Sequence, residues 1–596
     1  MHRTLNLRII ILLTVLVATA NLGTAAATRQ NRGSCRYLPG DDGWPCDSKW
    51  AALNRTVGGR LIRGVPIGQP CYGNSADPSA CSEVQKIWTD LPPFFWCSDA
   101  EAMSCSLEDP VNVISFYFES DTCSPFYGPF SVDPTMRNAT CSQGRLAPYA
   151  IDVRDAAAVV AGVNFARKNN IRLIIKNTGH DILGRSTGPG SLALWTHNLK
   201  DSSFFTYRSQ YYTGPAARIG AGVQVQELYE AAAANGYRVT GGGCPTVGAA
   251  GGWVQSGGHG PLSATYGLGA DTTLEFEVVT ADGRQLTASR TENADLFWAL
   301  SGGGPGNYAV VVSATLKVFS DGPVAGSRLT FMESDPDKYF RALEAWQKHL
   351  LFLDTVPGFQ SSVTLLSGVF SLSYVTLPDR TAAELTDALT PFYQELTALG
   401  IEPTVNETMV HDTFLEHYLH FEAASVYSRN ITVGNRIIPR SLVADDARLP
   451  QLTEVYKEIL DNPNAVAFVL AGNLTHERVG NAHGDNPVIH AWRDSLFITN
   501  FGLQSDELAT AAELEADLAT VNEWQKKLRD ITPGGGSYMN EATHNFAFWK
   551  TDYYGEWYDD LVRVKNKYDP GFVLWNQPGA GHDAWREEPD GRLCKV

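Results

Sequence analysis

Apolar and polar positions change rhythm near Tyr149. From Val153 to Lys168, Val159, Val160, Val163 and Ala166 recur at helical spacing, and Ile171 to Lys176 then reads as a short buried strand. Gln226 to Ala234 is an Ala-rich helix that Asn235-Gly236 stops in the manner of a C-cap. Leu274 to Thr280 alternates as a strand, with Asp282-Gly283 as a hairpin turn. Further on, strands such as Ser361 to Tyr374 mix with helices such as Ala382 to Leu399. The stretch 28–142 shows little periodicity and is rich in Cys, Pro and Gly, which reads as a stapled extension. Strands and helices in this proportion give an α+β protein, and its length asks for two or three domains.

The candidate chemistry lies on glycine-bracketed loops. Gly241-Gly242-Gly243-Cys244-Pro245-Thr246-Val247-Gly248 runs on through Gly251-Gly252-Trp253 to Ser256-Gly257-Gly258-His259-Gly260. Such backbone lets a flat or phosphorylated ligand approach closely. Upstream, Lys176-Asn177-Thr178-Gly179-His180-Asp181 follows the strand at 171–176, where a loop on a rigid support carries function. A histidine nitrogen and a cysteine sulfur are the groups that tether a flavin, at its 8α-methyl and its C6, with the His neutral and the Cys as thiolate. Cys244 alone reads as an inert buried thiol. Paired with His180, it reads as a second attachment point.

At these residues the chain resembles the berberine-bridge-enzyme-like oxidoreductases of the vanillyl-alcohol-oxidase superfamily. Cys244 to Asp271 is similar to the family's flavin loop, and Asn177-Thr178-Gly179-His180-Asp181 to its histidyl loop. Asp295 to Gly304 (DLFWALSGGG) resembles the segment closing the FAD domain, and Val562 to Asn576 resembles the C-terminal berberine-bridge segment. The first loop has Asn-Thr-Gly-His where the family more often has Ser-Gly-Gly-His, and Pro305 and Ala309 replace glycines. The loop after Cys244 carries one extra residue, as in an isoamyl-alcohol-oxidase-like branch.

The resemblance implies a PCMH-type FAD-binding domain at 143–322, an antiparallel-sheet substrate domain at 323–530 roofing the isoalloxazine, and a C-terminal segment at 531–596 returning to the FAD domain. It also implies bicovalent FAD on His180 and Cys244. The flanking Lys176, Asn177, Thr178, Gly179, Asp181, Pro245, Thr246, Gly248, Gly251, Gly252, Gly257, Gly258, His259, Gly260 and Asn576 are the cofactor-binding set.

Compartment follows from the ends of the pattern. Arg3 and Arg8 precede an apolar run from Ile9 to Ala20, and Thr24-Ala25-Ala26-Ala27 supplies a cleavage site, so 1–27 reads as a signal peptide. The run is short for a span of about 20 residues, leaving a retained anchor as the lesser alternative. Asn54, Asn138, Asn406, Asn430 and Asn473 open glycosylation sequons. Cysteines 35, 46, 71, 81, 97, 105, 123 and 141 cluster early and read as disulfides of unspecified connectivity, with Cys594 free or paired to the cluster. No CxxC pair suggests zinc, and His411, His417 and His420 lack a completing ligand, so no metal is expected. A formal charge of −18 disfavours nucleic acid and anionic membrane as partners.

A flavin oxidation needs a C–H bond held over the ring and a base for a neighbouring proton. Tyr538-Met539-Asn540-Glu541 precedes the C-terminal segment, similar to the family's YxNYxD. Tyr538, if its pKa is lowered, or Glu541 is the candidate base, against a packing and hydrogen-bonding role for the Tyr and Asn of this segment. GxSxG, P-loop and HEXXH motifs are absent. The leading expectation is a secreted oxidase passing a hydride from an alcohol through FAD to O₂. Oxidative cyclisation or dehydrogenation of a natural product is the second reading, and a secreted glycoprotein keeping the fold as a binding module is the third.

Overall fold

A computed structural model describes residues 35–73, 76–89, 109–119, 123–423 and 430–596. The leader at 1–27, Cys97 and Cys105 lie outside the described residues.

Two sheets build the first half. A four-stranded sheet runs Leu61–Arg63, Tyr149–Asp152, Ser191–Trp195, Arg172–Lys176; its first pairing is antiparallel and the others parallel. The helix Ala156–Asn169 makes the crossover between parallel strands. Asp155 caps it by accepting from the Ala158 amide at 2.7 Å, and Asn170 ends it in the left-handed region at φ 51°. Val159, Val163 and Ala166 face the core, as their spacing requires, while Val160 lies at its edge. A five-stranded antiparallel sheet follows, in the order Ser202–Arg208, Thr213–Gly220, Ala309–Lys317, Thr273–Thr280, Gln285–Ser289. The hairpin at Asp282-Gly283 joins its last two strands as the sequence indicates.

The second half carries a seven-stranded, wholly antiparallel sheet: Val405–His411, Val324–Met332, Val369–Pro378, Gln360–Leu366, Ala465–Gly472, Ser495–Gln504, Ile431–Pro439. Ser361 to Tyr374 is not one strand but a hairpin turning at Ser367-Gly368. Helices Pro336–Leu353, Ala382–Leu399, Leu449–Asp461 and Ala511–Ile531 back one face around Trp346, Phe392, Tyr456 and Trp524. The opposite face turns to the first half, where Leu268, Val488, Trp492, Ile498 and Tyr538 pack as a seam.

The N-terminal stretch, expected as a stapled extension more than part of the core, contributes to the core of the first half. Asp47–Thr56 is a helix whose Trp50, Leu53 and Val57 join the core of the first half, with Trp50 stacked on Tyr149 at 4.1 Å. Only three large apolar residues, at i, i+3 and i+7, carry it, so the periodicity is faint. Leu61–Arg63 adds an edge strand, and Cys35 pairs with Cys594 across the whole chain. Cys71–Cys81 and Cys123–Cys141 are the other disulfides among the described residues, and Cys46 is a free, exposed thiol. The C-terminal segment returns as implied: Tyr553, Tyr554, Leu561 and Leu574 belong to the first-half core.

Of the sequon asparagines, Asn138 and Asn406 are exposed. Asn54 and Asn473 are half-buried and hydrogen bonded, Asn473 donating to the Asp354 carbonyl at 3.0 Å. Asn430 is only 7% exposed.

Candidate functional site

Between the two sheets of the first half lies a cleft with about 1360 Å³ of empty space, its open mouth included. Leu173 and Ile175 wall one side, Ala309 and Val311 the other, and Trp575 closes an end. Three segments distant in sequence edge it: the loop after Arg172–Lys176, the glycine-rich loop after Cys244, and Tyr538 to Glu541.

Of the expected cofactor residues, Asn177, Thr178, Gly179, His180, Asp181, Gly248, Gly251, Gly252 and Asn576 line this cleft. Gly179 turns the first loop at φ +93°, a conformation rare for side-chain-bearing residues. Asp181 fixes the turn by accepting from the Ser186 amide at 2.6 Å and its hydroxyl at 2.7 Å. Asn177 donates to the Ala221 carbonyl at 2.6 Å and to Thr196 Oγ1 at 2.9 Å, while its buried Oδ1 has no partner. The glycine loop passes over this amide: a Cβ on Gly248 would stand 1.9 Å from Asn177 Oδ1, and one on Gly251 2.7 Å from its Cγ. Asn576 donates to the Pro305 and Gly306 carbonyls, both at 3.0 Å, tying the C-terminal segment to the cleft.

His180 Nε2 lies 2.7 Å from Thr246 Oγ1 and 4.0 Å from Cys244 Sγ, so the two tether candidates converge from separate loops. Burial, with the nearby Lys176 ammonium, pushes the imidazole down to about 4, so His180 is neutral at neutral pH. Cys244 corrects the thiolate expectation. Burial pushes it up to about 11 against the opposing Thr246 hydrogen bonds, so the free side chain is a thiol.

Other expected residues stand outside the cleft wall. Lys176 is fully buried, donates to the Asp109 carbonyl and acts on His180 by its charge. Pro245 accepts from the Gln226 amide, and Gly257 and Gly258 accept from the Ala270 and Gly269 amides, so these hold the loop's path. Gly260 is needed because a Cβ would meet the Gly241 carbonyl at 1.8 Å. His259 Nε2 meets Glu541 Oε1 at 3.2 Å, and its ring packs at 5.0 Å from that of Tyr538.

Tyr538 is 3% exposed, and its hydroxyl accepts from Asn540 Nδ2 at 2.9 Å. Burial, then the Glu541 charge, raise its pKa well above the usual tyrosine value, the opposite of the lowering that an ionised base asks for. The phenol stays protonated and is a donor. Glu541 keeps Oε2 buried and unpartnered on the cleft wall.

Two contributors are not singled out by the sequence: Arg185 lies outside the motifs, and Gln255 lies within the flavin loop. Arg185 reaches across to Asn540 Oδ1 at 2.9 Å and the Met539 carbonyl at 2.6 Å; only the folded chain joins positions this distant. Gln255 donates to the Gly251 carbonyl at 2.6 Å and leaves its Oε1 unpartnered in the cleft. His417, by contrast, is a core residue bonded to Thr376 Oγ1 at 2.9 Å.

These features fit FAD. The walls are apolar, the acceptors Asn177 Oδ1 and Gln255 Oε1 want donors, and a Cβ on Gly252 would find no protein atom nearer than 3.9 Å. Residues 147–289 match the model of an FAD binding domain, and 537–580 that of berberine and berberine-like proteins. The chain is 37% identical over 591 residues to the VAO-type flavoprotein oxidase VAO615 of Thermothelomyces thermophilus, covering 97% of this chain and 99% of that protein. It is 35% identical over 605 residues to the FAD-linked oxidoreductase patO of Penicillium expansum, covering 100% and 99%. The crystal structure of VAO-type flavoprotein MtVAO615 from Myceliophthora thermophila C1 superposes with a TM-score of 0.86 over 94% of this chain and 100% of that one, at 37% identity. The chain belongs to the berberine-bridge-enzyme-like, VAO-type FAD-linked oxidoreductases.

Proposed function

We propose that this oxidoreductase is a secreted oxidase that holds FAD through both His180 and Cys244 and takes a hydride from an alcohol carbon, with O₂ as final acceptor. The observation that carries the chemistry is the unpartnered Oε2 of Glu541 at the cleft wall, with Oε1 held by His259. Bound FAD supplies the hydride acceptor. Glu541 is the one acid of the Tyr538–Glu541 segment, and its free oxygen takes the substrate hydroxyl proton. Tyr538, kept protonated, donates a hydrogen bond that orients the substrate oxygen, and Asn540 fixes the phenol. The 4.0 Å approach of His180 to Cys244 supports two tethers on one edge of the ring. The leader pattern and the three disulfides support passage through an oxidising compartment.

Oxidative ring closure of a natural product is the second reading, favoured by 36% identity over 603 residues to the bifunctional decalin synthase calF of Penicillium decumbens. The test is aerobic incubation of the purified protein with a panel of primary and secondary alcohols, reading peroxide with a coupled peroxidase. Stoichiometric peroxide and carbonyl product, lost in Glu541→Gln, is the expected result. Flavin that no alcohol bleaches under anaerobic conditions would remove the alcohol-oxidase reading.

A further inference from the structure

Away from the flavin cleft, three histidines stand in ring contact. His476 opens the short helix His476–Val479, His483 lies in the following loop, and His490 precedes the turn Ala491–Asp494. Their ring centroids are 6.3, 6.2 and 5.8 Å apart. Each ring has one nitrogen beside an oxygen: His476 Nδ1 and Asn481 Oδ1 at 2.7 Å, His483 Nε2 and Glu556 Oε1 at 3.4 Å, His490 Nε2 and Asp494 Oδ2 at 3.4 Å. This is how metal-binding imidazoles are oriented, with an outer oxygen on one nitrogen and the metal on the other. The remaining nitrogen of His476, Nε2, is buried and without a hydrogen-bond partner.

We propose that His476, His483 and His490 form a three-imidazole site for a divalent transition-metal cation of the zinc or copper kind. Imidazole sets of this type suit those ions, with nitrogen–metal distances of about 2.0–2.1 Å for zinc. Among the described residues no group of three or more His, Cys, Asp or Glu is already placed to hold a metal ion, so the site forms only when the rings turn. The side chains of His483 and His490 are 58% and 50% exposed and are held by 3.4 Å contacts to Glu556 and Asp494, so a cation has to turn both rings inward to close the site.

The place matters because the same loop is lashed to the flavin domain. Asn481 and Asn486 donate to the buried Asp271 at 2.6 and 2.7 Å, and Trp298 Nε1 donates to the Gly484 carbonyl at 3.1 Å. The His483 ring also packs 5.0 Å from that of Trp557 in the C-terminal segment. A cation bridging the three rings therefore stiffens the loop through which the substrate domain already contacts the flavin domain.

The test is calorimetric titration of zinc chloride into the full-length protein after chelator treatment and dialysis, with thermal unfolding in parallel. One equivalent is expected to bind and raise the melting temperature. His483→Ala and His490→Ala should each weaken binding at least tenfold and abolish the thermal shift, and Glu556→Gln should weaken it about tenfold. His420→Ala, in the separate group with His411 and Glu407, should change neither. No zinc bound by the wild type, or equal binding by the wild type, His483→Ala and His490→Ala, overturns the proposal and leaves three solvated histidines.

Discussion

Gly248→Ala isolates the contact on which the shape of the flavin cradle depends. The added Cβ would stand 1.9 Å from Asn177 Oδ1 and 3.0 Å from its Cγ. To restore ordinary contact the amide must retreat about 1.5 Å. It is not free to do so, since Nδ2 donates to the Ala221 carbonyl at 2.6 Å and to Thr196 Oγ1 at 2.9 Å. Losing those two hydrogen bonds costs about 1 kcal/mol each, and overpacking about 1–3 kcal/mol more. The sum, about 3–5 kcal/mol, falls on the wall that takes the ligand. Flavin absorbance per protein absorbance is expected to drop at least tenfold, with a fall in the denaturation midpoint. Asn177→Gly removes the clashing atoms, so the double variant should recover part of the loss, with a coupling of about 1–3 kcal/mol. Gly243→Ala is the control, because nothing lies within 4 Å of its added Cβ. A Gly248→Ala protein matching Gly243→Ala in flavin content and stability would refute the reasoning.

Glu541→Gln should keep the flavin and lower kcat by about 10²–10⁴, whereas Tyr538→Phe should act mainly on KM; stopped-flow flavin reduction reads both, and unchanged reduction in Glu541→Gln would remove it as base. Asp271→Ala strands Arg493, whose side chain is 3% exposed, and should cost about 3–5 kcal/mol in denaturant unfolding; a loss below about 1 kcal/mol would show the clamp to be idle. Burial raises the Glu422 carboxyl to about 8, so its contribution to stability is whole below about 4.5 and gone once pH rises through 8. Glu422→Gln should flatten that part of the stability profile, and an unchanged slope would exclude Glu422 as its source. Glycopeptide mapping should find Asn138 and Asn406, whose side chains face solvent, more fully occupied than Asn430.

The sequence exposed what local pattern encodes. The helix at 156–169, the strand delivering His180 and the hairpin at 282–283 lie where periodicity and turn residues put them. Ala382–Leu399 matches to the residue, because Thr381 with Glu384 caps its start and Gly400 its end. The His180 and Cys244 loops were legible because glycines bracket them. The Trp50 helix was not, since its buried stripe is short and acquires meaning only against Tyr149 and Phe165. Nor was the state of the site. Whether Tyr538 ionises, where Lys176 points and what His259 meets depend on burial and on partners hundreds of residues away. The pairing of Cys35 with Cys594 is a fact of chain closure that no spacing rule contains.

The central claim is that one flavin is bonded to both His180 and Cys244. Its most direct test is acid denaturation of the purified protein, followed by proteolysis and mass measurement of the flavin-bearing peptide. The predicted result is a single species in which FAD joins the His180 and Cys244 peptides. Flavin released into the supernatant, or carried on one of the two peptides alone, would contradict it.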